Sequence, residues 1–159
     1  MYSHIYLSPL GDIALTAKNE GLTALSFLAG ARPLIIPDSY QKNLKLFLHV
    51  IEQLDQYFYE NRTQFDLPLA PKGTPFQQSV WHTLTTIKQG ETQSYGWLAE
   101  KIDNPKAVRA VGRANGANPI ALIIPCHRVI GKNGNLTGYA GGVALKKEIL
   151  RFEGAKFNT

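Results

Sequence analysis

Cysteine is almost missing from this chain: among 159 residues there is one, Cys126. That scarcity excludes an intramolecular disulfide and a cysteine-rich zinc site, and it fits a reducing compartment. Long apolar runs are missing as well. No segment approaches the ~18 consecutive apolar residues that a membrane-spanning helix requires. The start, Met1-Tyr2-Ser3-His4, lacks a basic region followed by an apolar one, so no secretory signal and a cytoplasmic location are expected. Acidic residues are scarce in the second half. Residues 71–159 carry a net charge of +7 and residues 1–70 carry −2, which together give the +5 of the whole chain. Such a split predicts a polyanion-binding region beside a near-neutral one.

What is present describes a globular chain, 44% hydrophobic and 18% charged, long enough for one good core or two small ones. Ile5-Tyr6-Leu7, Ile13 to Ala17 and Leu22 to Phe27 read as strands of an antiparallel meander, separated by the turn chemistry of Pro9-Gly11-Asp12 and Asn19-Glu20-Gly21. From about Ser39 to Tyr59, Leu44, Phe47, Val50, Ile51, Leu54 and Phe58 recur every three or four residues, which predicts an amphipathic helix covering that sheet. His4 and His49 have no metal-ligand spacing to any partner and read as surface or cap residues. Phe65 to Gly73, rich in proline, reads as a linker, dividing the chain into residues 1–70 and 71–159. The fold class expected is α/β (α+β) in two subdomains: an antiparallel sheet with its helix, then a mostly helical domain.

The second subdomain opens on Thr74-Pro75-Phe76-Gln77, a capping box with proline at the first helical position. Phe76, Val80, Leu84 and Ile87 form its buried stripe, with Trp81 beside it. Ser94 caps a short helix through Trp97, Leu98 and Ile102, Asp103-Asn104 makes a turn, and Pro105 begins a second helix reaching about Gly116. Two short helices joined so tightly predict a helix-turn-helix. On the second helix Lys106, Arg109 and Arg113 share one face, with Val108 and Val111 opposite. Ala107, Ala110, Gly112, Ala114 and Gly116 keep that helix slim enough to approach a phosphate backbone or a narrow groove.

Asn118-Pro119 ends the helix, and Ile120 to Ile124 reads as a short extended strand delivering Pro125-Cys126-His127-Arg128. Gly138-Tyr139-Ala140-Gly141-Gly142 lacks the phosphate-loop spacing and can instead bring backbone amides close to a flat ligand. In the last helix, about Val143 to Phe152, Glu153 continues the apolar face of Ile149 and Leu150, where a carboxylate needs a partner. A free thiol is mostly protonated at neutral pH, so a nucleophilic cysteine requires a base. Cys126, His127 and Glu153 supply a nucleophile, a base and an orienter. On an extended backbone Cys126 and His127 would point to opposite sides, and a bridging water would then be required. Cysteine hydrolases use the same residue types. The basic helix-turn-helix narrows the choice to thiol chemistry on nucleic acid.

Residues 74 to 154 resemble the catalytic domain of the O6-alkylguanine-DNA alkyltransferases, also called methylated-DNA-protein-cysteine methyltransferases. The resemblance runs through Gly90-Glu91-Thr92, Ser94-Tyr95-Gly96, Arg109-Ala110-Val111-Gly112, Ala114-Asn115, Asn118-Pro119, Ile124 to Val129, and Gly138 to Gly142. Lys88-Gln89 departs from the Pro-Tyr common at that place in the family. The first 70 residues resemble the family's N-terminal domain only in length and pattern.

This resemblance implies that Cys126 takes the alkyl group from O6 of guanine and keeps it, so that each molecule acts once. It implies that His127 relays a proton from Cys126 through water, that Glu153 orients His127, and that Asn118 braces the active-site turn. Arg109 would fill the stack left by the rotated nucleotide, while Tyr95 crowds the adjacent phosphate and protonates the leaving guanine. Ser94, Lys106, Ala107, Ala110, Gly112 and Arg113 would meet DNA. Tyr139, Ala140, Gly141, Asn115 and Trp81 would form the base pocket. The partner implied is double-stranded DNA carrying alkylated guanine, with alkylated thymine and cooperativity on DNA left open, and the protein is expected to be a monomer without cofactor, metal or membrane contact. A non-catalytic lesion binder would lack Cys126, and a helix-turn-helix regulator would leave Cys126-His127 without purpose.

Overall fold

A computed structural model describes residues 1–139 and 141–158. The predicted meander is present as β1 (Tyr2–Ser8), β2 (Gly11–Lys18) and β3 (Gly21–Phe27), paired antiparallel with Tyr6 opposite Ile13 and Leu15 opposite Leu25. A two-residue strand, β4 (Gln41–Lys42), adds parallel to β1, giving the order β3-β2-β1-β4. Residues 13–17 of β2 are all buried, so this central strand is covered on both faces.

One cover is α1 (Leu44–Tyr59), whose Phe47 stacks on His4 and whose Phe58 stacks on Tyr6. The helix starts five residues later than its periodicity suggested, because Gln41 and Lys42 pair with the backbone of Tyr2 and Ser3. Leu44, assigned to the buried stripe from sequence, is exposed, and Tyr57 is buried instead. Both halves of the chain contribute to one hydrophobic cluster.

The outer edge of β3 carries the connection between the halves. Leu22 exchanges backbone hydrogen bonds with Pro68 and Ala70 of the linker, and Leu25 does the same with Pro119 and Ala121. Beyond the linker lie α2 (Pro75–Leu84), β5 (Gln93–Ser94), α3 (Tyr95–Lys101), α4 (Val108–Gly116), a 3-10 turn (Cys126–Arg128), β6 (Val129–Ile130) and α5 (Val143–Phe152). The capping box on α2 forms: Gln77 N–H donates to Thr74 Oγ1 and Thr74 N–H to Gln77 Oε1. Ser94 caps α3 by accepting from Trp97 N–H, and α3 packs on α4 as a helix-turn-helix.

Three local readings are corrected. Helix α4 begins at Val108 and not at Pro105, since Asn104 to Ala107 close a turn with Ala107 N–H donating to the Asn104 carbonyl. Lys106 and Ala107 therefore precede the helix, and Val108 is exposed while Val111 is buried. Residues 120–124 are not a strand. Ile123 N–H bonds Ala121 and Ile124 N–H bonds Ile120 in successive turns, with buried Leu122 at φ +70°. The run is apolar because it is buried in the core, and the side chain of Asn118 folds it back. The thiol itself sits on a 3-10 turn, and the strand adjoining it, β6, follows it.

Candidate active site

The chain reverses at Asn118, whose carboxamide does what a second strand would otherwise do. Its Oδ1 accepts from Ile120 N–H at 3.0 Å and its Nδ2 donates to the Ile124 carbonyl at 2.7 Å, closing a loop whose exit is Pro125-Cys126. The 3-10 geometry from Cys126 to Arg128 places successive side chains about 120° apart, where an extended chain would oppose them. Cys126 faces a cavity of about 230 Å³, while His127 and Arg128 turn inward.

Inside, Glu153 at the end of α5 collects four hydrogen bonds. His127 Nε2 lies 2.9 Å from Oε1, Arg128 donates through Nε to Oε1 and through Nη2 to Oε2, both at 2.9 Å, and the Tyr57 hydroxyl donates to Oε2 at 2.7 Å. The third Arg128 nitrogen donates to the Ile87 carbonyl. Burial alone would raise the Glu153 carboxyl, but pairing with His127 and Arg128 outweighs it and holds its pKa at about 2. Burial lowers that of His127 against the pull of Glu153. Arg128 is then the permanent charge that keeps Glu153 ionised when His127 is neutral. An ionised carboxylate only accepts, so His127 Nε2 carries the proton and Nδ1 the lone pair. Nδ1 is buried with no hydrogen-bond partner among the described residues.

The thiol is treated differently. Burial raises the Cys126 pKa, with the Asn118 amide and the Lys146 ammonium opposing it weakly. Lys146, fully buried in α5, donates to the Val129 carbonyl at 2.7 Å, and burial lowers its pKa to about 8.

The cavity before Cys126 is lined by Tyr95, Asn115, Asn118, Tyr139 and Gly141 and, from the first half of the chain, by Arg32 and Leu34. Asn115 donates through Nδ2 to the Cys126 carbonyl at 3.3 Å, its Oδ1 is buried without a partner among the described residues, and the buried Tyr139 hydroxyl faces the Cys126 thiol. Tyr95 stands over Gly112 with its hydroxyl 2.6 Å from Thr137 Oγ1. A Cβ on Gly141 would lie 2.7 Å from Leu145 and 2.8 Å from the Tyr139 ring, and one on Gly30 would lie 2.9 Å from Gly141 Cα. Only glycine lets the loop after β3 close on this wall. Ala140 lies outside the described residues.

Trp81 is not part of that wall. Its indole N–H donates to the Ala114 carbonyl at 2.8 Å and its ring is buried in the core, where it fastens α2 to α4. Arg109 and Arg113 project from α4 into solvent, and no ion pair among the described residues involves them. Lys106 is exposed and Ala107 half-buried just before the helix, Ala110 and Gly112 are half-buried along it, and half-buried Ser94 caps the neighbouring helix. Tyr57, Arg128, Lys146, Arg32 and Leu34 were not singled out from sequence. Arg128 alone offered a local signal, its place directly after His127.

A buried thiol opening on a base-sized cavity, backed by a histidine–carboxylate pair and flanked by a cationic helix, defines a protein that moves a small group from nucleic acid to itself. Residues 1–71 match the family described as 6-O-methylguanine DNA methyltransferase, ribonuclease-like domain, and residues 75–155 the one described as 6-O-methylguanine DNA methyltransferase, DNA binding domain. The chain belongs to the 6-O-methylguanine DNA methyltransferases. It is 50% identical over 155 residues, 98% of this chain and 99% of the relative, to the methylated-DNA–protein-cysteine methyltransferase of Methanosarcina acetivorans. The relative of that name from Mycobacterium tuberculosis is 46% identical over 150 residues, covering 92% of this chain and 88% of its own. A crystal structure of Mycobacterium tuberculosis OGT in complex with DNA is similar at a TM-score of 0.89 and 43% identity, over 97% of this chain and 93% of that one.

Proposed function

We propose that this protein repairs DNA by direct reversal, carrying the alkyl group of O6-alkylguanine away on Cys126. The observation that carries this reading is the single thiol at the floor of the cavity, beside a histidine whose tautomer is set by Glu153. The sulfur attacks the alkyl carbon, the S–C bond forms as the C–O6 bond breaks, and the thiol proton leaves through a bridging water toward His127 Nδ1. Tyr95 supplies a proton to the departing guanine. The thioether is stable, so the molecule acts once.

The lesion must leave the duplex to reach a buried sulfur, at a cost of a few kcal/mol that is least for a poorly paired base. Helix α4 enters the minor groove, Arg109 fills the gap in the stack, and Ser94, Lys106 and Arg113 meet phosphates. Asn115 Oδ1, a buried acceptor without a partner among the described residues, suits the 2-amino group of guanine. The protein works as a monomer in the cytoplasm, and O4-alkylthymine offers the same alkyl–oxygen bond. No helix among the described residues is long and apolar enough to cross a membrane.

Incubation with a duplex containing O6-methylguanine, followed by intact-mass measurement, tests the reading. One methyl group is expected on Cys126 and none on Cys126→Ala. Turnover beyond one equivalent, or binding with no change in mass, would refute it.

A further inference from the structure

Glu153 is the hub of the buried site, and one of its four hydrogen bonds comes from far away in sequence. Tyr57, on α1 behind the N-terminal sheet, donates its hydroxyl to Oε2 across a separation of 96 residues. Both side chains are buried, so the bond is sheltered from water. The Tyr57 ring is wedged among Phe58, Phe65 and Phe152 at centroid distances of 4.9, 5.4 and 5.2 Å, which fixes the direction from which the hydroxyl arrives.

We infer that Tyr57 is a positioning residue for alkyl transfer: through Glu153 it sets the orientation and basicity of His127, which makes the N-terminal half a working part of the catalytic site. This rests on the alkyl-transfer reading of Cys126, His127 and Glu153. Arg128 spans both carboxylate oxygens, and His127 takes Oε1, leaving Oε2 with one direction open. Tyr57 closes it. A carboxylate held from three sides cannot rotate, and the imidazole bonded to it cannot either. The hydroxyl also draws negative charge toward Oε2 and away from Oε1, which restrains the pull of Glu153 on the His127 proton. Nδ1 therefore stays free to accept.

The sign of the effect follows from the groups that face this cluster. Toward His127 they are Glu153, Arg128 and Lys146; toward Tyr57 they are Glu153, Arg128 and Tyr139. Arg128 and Lys146 disfavour a charged imidazole, and Glu153 favours one. Removing the Tyr57 hydroxyl strengthens only the Glu153 influence. His127 then protonates at higher pH, and the acidic limb of the rate profile moves upward.

The test uses the full chain and single-turnover methyl transfer from an O6-methylguanine duplex, and from the free base, across a range of pH. Tyr57→Phe is expected to slow transfer about tenfold at neutral pH with both substrates, the scale typical of an outer partner of a reactive histidine. It should leave duplex affinity unchanged and shift the acidic limb upward. A wild-type rate, a slowing confined to duplex affinity, or a slowing without movement of the limb would each overturn the inference. A second comparison applies whether or not Tyr57→Phe folds well by itself: Glu153→Gln against the double variant, where the added Tyr57→Phe change takes a partner from a neutral amide and not from a carboxylate. Equal rates are expected, and further slowing by Tyr57→Phe in that background would show that it acts elsewhere. If wild-type protein gained no methyl group, the alkyl-transfer reading would fail and not the role of Tyr57 alone.

Discussion

Two acidic groups are buried at this site, one on either side of the His127 backbone, and are driven in opposite directions. The Cys126 thiol is pushed up by burial, and the Glu153 carboxyl, buried as well, is held at about 2. The difference is the supply of partners. Glu153 has a guanidinium spanning both oxygens, an imidazole and a hydroxyl, whereas the cation that acts on the sulfur, Lys146, spends its hydrogen bond on the Val129 carbonyl. Charge is thus stored on the carboxylate, and the sulfur rests as a thiol until its proton is taken. A single-use nucleophile gains from this arrangement, because premature reaction would be irreversible.

The strongest way to break the contrast is to remove the cation. Arg128→Met leaves Glu153 buried without its permanent counter-charge and is expected to lower stability by about 3–5 kcal/mol in denaturant unfolding. An unchanged midpoint would mean that Arg128 does not hold the carboxylate. Acid sharpens the same point. The folded-state pKa of Glu153 lies near 2 against 4.5 for the unfolded chain. Its stabilisation is therefore complete above about pH 4.5 and is lost as pH falls toward 2, amounting to roughly 3 kcal/mol. His127, whose pKa is lowered, adds a loss in the same sense beginning near its unfolded value of 6.5. Glu153→Gln should flatten the lower part of the curve of stability against pH.

On the thiol side, iodoacetamide should modify Cys126 about tenfold more slowly at neutral pH than it modifies an exposed thiol, and the rate should climb as pH is raised past the ordinary thiol value. Fast labelling at pH 7, followed by mass, would mean that the sulfur is already ionised. The smallest expected effect on stability is that of Arg109→Ala, within about 0.5 kcal/mol for an exposed side chain. The same variant should slow repair in duplex DNA much more than reaction with the free base. Equal slowing of both would count against insertion into the stack.

Local signals in the sequence were read well. The capping box at Thr74, the Ser94 cap, the meander turns and the pairing of His127 with Glu153 all depend on residues a few positions apart or on a run of apolar spacing. What escaped depends on side chains acting at a distance. Ile120 to Ile124 looked like a strand because it is continuously apolar, and nothing in its own composition shows that the Asn118 carboxamide folds it into turns. Trp81 looked available to the cavity until its indole N–H was seen to hold the Ala114 carbonyl. Tyr57 was the hardest to see: it sits beside the apolar stripe of α1, and the group that recruits it lies 96 residues away.

The edge of β3 holds Pro68 and Ala70 through Leu22 and Pro119 and Ala121 through Leu25, while Lys72 and Gly73 between them stand exposed. A protease cutting after Lys72 would sever the peptide without separating the pieces, since the shared core and the Tyr57–Glu153 bond still clasp them.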